Sequence, residues 1–299
     1  MLFRQFLLGV IMTFTSIAAA QELEPRAYSP SPVGLNFLIF SYGHQTGDFL
    51  LDPTLPIEDA EASLNSTAIA YGRTFGIAGR SANMLAALPY VWARASGRVF
   101  EEHNNITRSG LADMRLRFAM NILGGPALTP KAFAARKPAT TLGASLLAIA
   151  PTGQYDPAKL INIGSNRWSF RPDVGLAHPI GHWYLELYGG VWLFTENHNF
   201  FGSSRRKQKP IAAVQGHVSY TFRPHFWLAA NATFYTGGRT IIDETIRADL
   251  QRNSRIGVAL SFPVSRRYSA KIAWAHGVRT RIGGDFNSVA ISLQYAWFD

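Results

Sequence analysis

Apolar side chains at every second position restrict this chain more than any other feature of it. In LADMRLRFAMNIL, residues 111–123, Met114, Leu116, Phe118, Met120 and Ile122 share one parity, while Asp113, Arg115, Arg117 and Asn121 share the other. Residues 167–177 set Trp168, Phe170, Val174 and Leu176 against Arg167, Arg171 and Asp173. Residues 182–195 set Trp183, Leu185, Leu187, Val191 and Leu193 against Tyr184, Glu186, Tyr188 and Trp192. A period of two belongs to strands with one apolar and one polar face; a helical period of 3.6 would smear these charges around the axis. The same patterning predicts strands over 33–42, 64–75, 82–95, 110–123, 139–150, 167–178, 182–195, 210–222, 225–236, 254–262, 266–277 and 287–298. Pro89, Pro172 and Gly189–Gly190 fall inside these segments and mark bends or bulges.

The connections alternate in length. Turns at 76–81, 179–181, 223–225 and 263–266 are short, with 124–138 the longer exception. Those at 43–63, 96–109, 151–166, 196–209, 237–253 and 278–286 read as long loops. About twelve antiparallel strands, short turns on one side and long loops on the other are the pattern of an all-β transmembrane up-and-down barrel, closed so that no sheet edge meets lipid. Large aromatics of the apolar parity sit near segment ends, among them Tyr90, Trp92, Trp168, Phe170, Trp183, Phe222, Phe226, Phe234, Tyr268 and Trp274. Aromatic girdles at the two membrane interfaces predict this placement. A soluble β-sandwich would bury such rings too, but it has no need for charges along the whole opposite face of its strands.

The N-terminus supports export. Arg4, an apolar run over 6–17 and Ala18-Ala19-Ala20 form a secretory signal peptide over residues 1–20, with cleavage expected before Gln21 and no following Cys for a lipid anchor. Residues 21–32, QELEPRAYSPSP, are too rich in proline for a central strand and are expected to hang in the periplasm or tuck into the barrel as a small plug. Residues 33–299 then form the barrel, in the outer membrane of a Gram-negative bacterium. The chain holds 29 Lys+Arg against 19 Asp+Glu, a net charge of +10. For an exported chain this favours outer-membrane lipid and lipopolysaccharide headgroups as partners, and not nucleic acid. The absence of Cys excludes a disulfide scaffold.

With the apolar parity turned to lipid, the other parity lines the lumen. It carries Asp113, Arg115, Arg117, Arg167, Arg171, Asp173, Tyr184, Glu186, Tyr188, His217 and Tyr235, together with Asn36, Arg73, Trp192, Gln215, Trp227, Asn231, Arg255 and Lys271. Such arginines bias a wet lumen toward anions, or cross-link it shut through ion pairs. The rings offer a stacking path for aromatic solutes, or fill volume between the arginines. Tyr155, Asp156, Asn162 and Asn166 lie in a turn-rich loop expected to fold inward, as solute contacts or as fixers of loop geometry. His217 and Ser219 share a strand face, as a base and a nucleophile would, but their parity points them into the lumen, where they read as a hydrogen-bonding pair; no catalytic residue is expected. The eight His residues show no metal-ligand spacing, and nothing calls for a metal or cofactor. Arg205-Arg206-Lys207 with Lys209 forms a basic loop suited to lipopolysaccharide phosphates.

Three stretches add a resemblance: residues 151–197, above all YDP…LINIGSNRW; LEPRAYSPSPVGLNF at 23–37; and GLADMRLRF at 110–118. Together they resemble the Gram-negative outer-membrane family named for a MetA-pathway of phenol degradation. One departure is Gly110-Leu111-Ala112-Asp113, where that family has a GLGD-like run. The resemblance implies a monomeric or weakly oligomeric barrel that passes small, aromatic solutes across the outer membrane. The expectation is therefore a channel or weakly selective transporter for passive passage of small aromatic or anionic solutes. The alternatives are a closed structural or surface-interaction barrel and, less favoured, an outer-membrane hydrolase. In the closing segment, Val289, Ile291, Leu293, Tyr295 and Trp297 alternate toward lipid, the pattern that barrel-assembly machinery is expected to engage during insertion.

Overall fold

The computed structural model describes residues 24–50, 57–99 and 102–298, so the expected signal peptide and residues 21–23 lie outside the described residues. Strands β1 (Leu35–Leu50), β2 (Ile57–Ile77), β3 (Arg80–Val99), β4 (Glu102–Leu111), β5 (Met114–Leu123), β6 (Thr141–Ala150), β7 (Ser169–Ile180), β8 (Trp183–Phe194), β9 (Asn197–Phe200), β10 (Ser204–Gln208), β11 (Ile211–Arg223), β12 (Phe226–Gly237), β13 (Thr240–Ile242), β14 (Thr245–Ile246), β15 (Gln251–Pro263), β16 (Tyr268–Arg279) and β17 (Gly283–Phe298) follow one another, with a short helix α1 (Pro130–Ala134) between β5 and β6. Thirteen of the strands form one antiparallel sheet, which closes because β2 pairs with β3 as well as with β1. With β4 and β5 as two halves of a single stave, the barrel has 12 strands. β9, β10, β13 and β14 form a separate small sheet.

Every segment read as a strand from its alternation is a stave of this barrel. The apolar parity faces outward: Phe40, Ile69, Met84, Phe118, Val174, Leu187, Val218, Ile256, Ile272 and Ile291 are all exposed. At the short-turn end the outward rings touch one another, Trp183 on Tyr220 at 4.9 Å, Tyr268 on Tyr295 at 5.0 Å and Tyr295 on Trp297 at 5.2 Å. Trp168 stacks on Phe170 at 5.8 Å at the other end. These are the expected girdles. The tight β2–β3 turn uses Ala78 and Gly79, both at positive φ (48° and 73°), the twist that a two-residue hairpin requires.

Four expectations are corrected. Residues 43–63, 96–109 and 278–286 are mostly strand. β1, β2 and β3 run for 16, 21 and 20 residues, well beyond the roughly 9–11 that cross a bilayer. Above the membrane both faces meet water, so those extensions carry no apolar parity to betray them. The stave read as continuous over 110–123 breaks at Ala112–Asp113, opposite Pro89, which has no N–H for the ladder; Ala112 N donates to the Pro89 carbonyl at 2.9 Å, and the register shifts by one residue across the break. Asn36 and Arg73 do not line the lumen. They pair with each other on the parity of Leu38 and Tyr71, and Tyr71 Oη donates to Asn36 Oδ1 at 2.7 Å. Finally, Pro172 leaves a gap in the β7–β8 ladder without changing its register.

Candidate functional site: the barrel lumen

The inward face of β8 carries Phe194, Trp192, Tyr188, Glu186 and Tyr184 at alternate positions, with Gly190 leaving a gap between Trp192 and Tyr188. Alternate residues on a strand stand about 6.6–6.8 Å apart, so these rings run down the barrel in steps. Guanidinium groups cover them. Arg167 lies 4.5 Å from the Phe194 ring, Arg171 5.2 Å from Trp192, and Arg26 4.4 Å from Tyr184 and 5.2 Å from Trp227. Arg117 lies 5.5 Å from Tyr28, whose ring meets Tyr188 edge-on at 4.9 Å. Desolvated cation–π contacts of this kind are worth about 2 kcal/mol each. Arg171 Nε also pairs with Asp173, and Glu24 lies 3.9 Å from its other end.

The short-turn mouth is crossed by the segment that precedes β1. Val33 N donates to the Leu128 carbonyl and Gly34 N to Thr74, beside the first stave. Tyr28 then reaches the wall of β5, β6 and β7, where its hydroxyl shares a 2.9 Å hydrogen bond with Ser145 and its carbonyl accepts from Asn121 Nδ2 at 2.8 Å. Its ring fits only because Gly143 and Gly175 face it: a Cβ at either would stand 2.3 Å from a Tyr28 ring carbon. Arg26 ends on the opposite wall. Its backbone N–H donates to both Glu186 oxygens at 3.1 Å, and its guanidinium donates to Ser219 at 3.0 Å and Thr221 at 2.6 Å. Residues 24–34 thus lie across the lumen.

The far mouth is capped by loops. The 151–168 connection folds inward, as its turn-rich sequence implied. Ile161 and Ile163 pack against Ala62, Leu64, Ala93 and Phe286 on the inner wall. Asp113, released from the sheet by the break beside it, fixes this loop by accepting from Gly153 N and Ser165 N at 2.9 Å and from Ser165 Oγ at 2.5 Å. Over the loop lies the small sheet β9–β10–β13–β14, which turns Asn197, Phe200, Ser204, Arg206, Thr240 and Ile242 inward.

The structure places the expected lumen residues as follows. Arg117, Arg171, Asp173, Tyr184, Glu186, Tyr188, His217 and Tyr235 face the lumen, and Arg115 follows their parity, half-buried. Asp113 and Arg167 are buried under the loop cap rather than along a stave wall. Tyr235 Oη accepts from Asn253 Nδ2 at 3.0 Å. His217 Nδ1 bonds Asn231 Oδ1 at 2.7 Å, and the neighbouring Ser219 hydroxyl accepts from Arg26, so the two hydrogen-bond to separate partners. The loop candidates mostly hold the loop. Asn162 Oδ1 accepts from Asp156 N while its Nδ2 donates to the Asp156 and Lys159 carbonyls, Asn166 Nδ2 donates to Asn197, and Tyr155 Oη donates to the Asn199 carbonyl. The hydrogen bond that the carboxylate accepts from Ala158 N and the Lys159 ammonium hold the Asp156 carboxyl below its usual range. Of the basic loop, Arg205 and Lys207 both pair with Glu196, at 3.1 and 3.3 Å, and Arg206 turns inward. Residues the alternation did not point to are Arg26, Tyr28, Arg206 and Asn253; the first two lie in the Pro-rich segment expected either to hang free or to tuck into the barrel, and the inward glycines at 143 and 175 mark where Tyr28 packs. In contrast to this crowded wall, Lys271 and Ala290, on the inward parity of β16 and β17, are exposed.

Fold and site together define a closed, transmembrane-type β-barrel with a polar and aromatic lumen. The chain belongs to the family described as Putative MetA-pathway of phenol degradation, whose model matches residues 43–291. Among solved structures it is similar to the COG4313 outer membrane channel from Pseudomonas putida F1, with a TM-score of 0.80 at 20% identity over 92% of this chain and 100% of that one. It is also similar to the transport unit of the autotransporter AIDA-I from Escherichia coli, with a TM-score of 0.53 at 9% identity over 95% and 97% of the two chains. At these identities the likeness is one of fold. No curated protein sequence matches the chain.

Proposed function

We propose that the chain is a passive outer-membrane channel, or weakly selective transporter, for small aromatic or anionic solutes. The observation that carries this reading is the inward face of β8, where three rings, Tyr184, Trp192 and Phe194, each lie under a guanidinium, with Arg117 over Tyr28 beside them. Arginine supplies the attraction for an anion, and the rings supply a stacking surface for a flat apolar body. The exposed inward residues Lys271 and Ala290 support a wet path beside those rings. A fold shared with a protein described as an outer membrane channel agrees with it. On this reading the barrel sits in outer-membrane lipid with lipopolysaccharide around its outer rim, and barrel-assembly machinery inserts it.

The test is conductance in planar bilayers. Discrete events with anion preference are expected, and an electrically silent, correctly folded barrel would contradict the reading. Replacing both Arg117 and Arg171 with Gln is expected to lower the chloride-to-potassium permeability ratio by about twofold to fivefold, read from the reversal potential in a salt gradient. A second reading, a closed structural barrel, draws on the segment that crosses the mouth at residues 24–34. The two readings separate when that segment is removed.

A further inference from the structure

One charge under the extracellular lid has no partner within the described structure. β10 alternates Arg205 and Lys207 outward, toward Glu196, with Ser204 and Arg206 inward. Arg206 is only 5% exposed, and its Nε is buried without a hydrogen-bond partner. Among the described residues no carboxylate pairs with it; its contact is the Phe200 ring, 5.7 Å away. Arg167 is buried close by, and the two guanidinium groups repel each other. Arg167 itself donates to Gln208 Oε1 and lies over Phe194. The nearest acids are already engaged, Asp113 with the 151–168 loop and Asp249 with Thr240 N at 2.8 Å and Thr240 Oγ1 at 2.5 Å. Burying the Arg206 guanidinium with its Nε unbonded is costly, and a second buried positive charge nearby adds to the cost. Burial accordingly pushes the Arg206 pKa down, with Asp249 and Tyr155 pulling weakly the other way.

We propose that Arg206 and Arg167 form an anion site beneath the lid, and that its ligand is a small aromatic monocarboxylate. The planar guanidinium fork accepts a carboxylate through two parallel hydrogen bonds. Phe194 and Phe200 already lie against these guanidiniums, so a ligand whose carboxylate reaches the pair brings its own ring among aromatic faces. Asp113 and Asp249 oppose part of the positive charge, so a singly charged carboxylate suits the site better than a dianion such as phosphate. The proposal rests on the channel reading for the route of the ligand, and names the class of solute that enters it.

The test is equilibrium binding of fluorobenzoate to the refolded full-length barrel in detergent micelles, followed by fluorine NMR. Saturable binding is expected, with acetate and inorganic phosphate as poor competitors. Arg206→Gln is expected to weaken it by about tenfold or more, whereas Arg205→Gln, on the outer face of the same strand, leaves it unchanged. Without ligand, Arg206→Gln is expected to melt no lower than the unsubstituted barrel, because it removes an unpaired buried charge. No saturable binding, equal binding by Arg206→Gln, or a variant that unfolds would each overturn the proposal; effective competition by phosphate would overturn the aromatic class. The two readings fail separately. Binding in a barrel that never conducts removes the channel and keeps the site, while conduction without binding does the reverse.

Discussion

Deleting residues 24–32 is expected to raise the unit conductance of the barrel severalfold in planar bilayers. The segment starts beside β1 and ends on the opposite wall, where Arg26 bonds Glu186, Ser219 and Thr221. Between these ends, Tyr28 packs against Gly143 and Gly175 on the β6–β7 wall. Each of these contacts joins the segment to the wall, and none of them joins one stave to the next, so the barrel is expected to fold without it. A variant of full length checks the same point. Gly143→Val with Gly175→Val places a Cβ 2.3 Å from the Tyr28 ring at each site and must push the ring out. Valine suits a strand, so the wall tolerates the change. This variant is expected to conduct like the deletion. Unchanged conductance in both would show that the segment does not limit the path.

The second large effect is expected at Asp113. Asp113→Ala takes the acceptor away from Gly153 N, Ser165 N and Ser165 Oγ, all in the connection that caps the other mouth. A buried N–H left without a partner costs about 1–3 kcal/mol. The cap holds few other polar ties to the wall, among them Gln154 N to the Leu111 carbonyl and Arg108 Nε to the Ile161 carbonyl. Release of residues 151–168 should therefore precede unfolding of the barrel. Arg167, buried in the native cap, then becomes accessible. Brief trypsin treatment is expected to cut after Arg167 in Asp113→Ala and to leave that bond intact in the unsubstituted barrel. Mass spectrometry reads the site of the cut, and equal protection in both would contradict the anchoring role.

The staves and their facing were legible in the sequence because a membrane imposes a period of two wherever one face meets lipid and the other meets water. Phe118 outward with Arg117 inward, or Leu187 outward with Glu186 inward, follows from that period alone. Where lipid ends, the signal ends with it. The upper parts of β1, β2 and β3 have polar residues on both faces and read as loop. Arg73, near the short-turn rim, carries a polar side chain on the outward parity for the same reason, while Asn36 on that parity is buried and bonded by Tyr71. The break at Ala112–Asp113 depends on Pro89, which is close only across the ladder. The destination of residues 24–34 depends on two glycines more than a hundred residues further on. Arg206 was hidden for another reason: between Arg205 and Lys207 it looks like part of a solvated run, and a strand of five residues, β10, is too short for alternation to separate the three.

The most direct measurement of the central claim is the reversal potential across a planar bilayer holding the chain without residues 24–32, in a potassium chloride gradient. The lumen described above predicts discrete conductance steps and a reversal potential on the side of anion preference. A barrel that remains silent once the segment is gone, or one that conducts with cation preference, would contradict it.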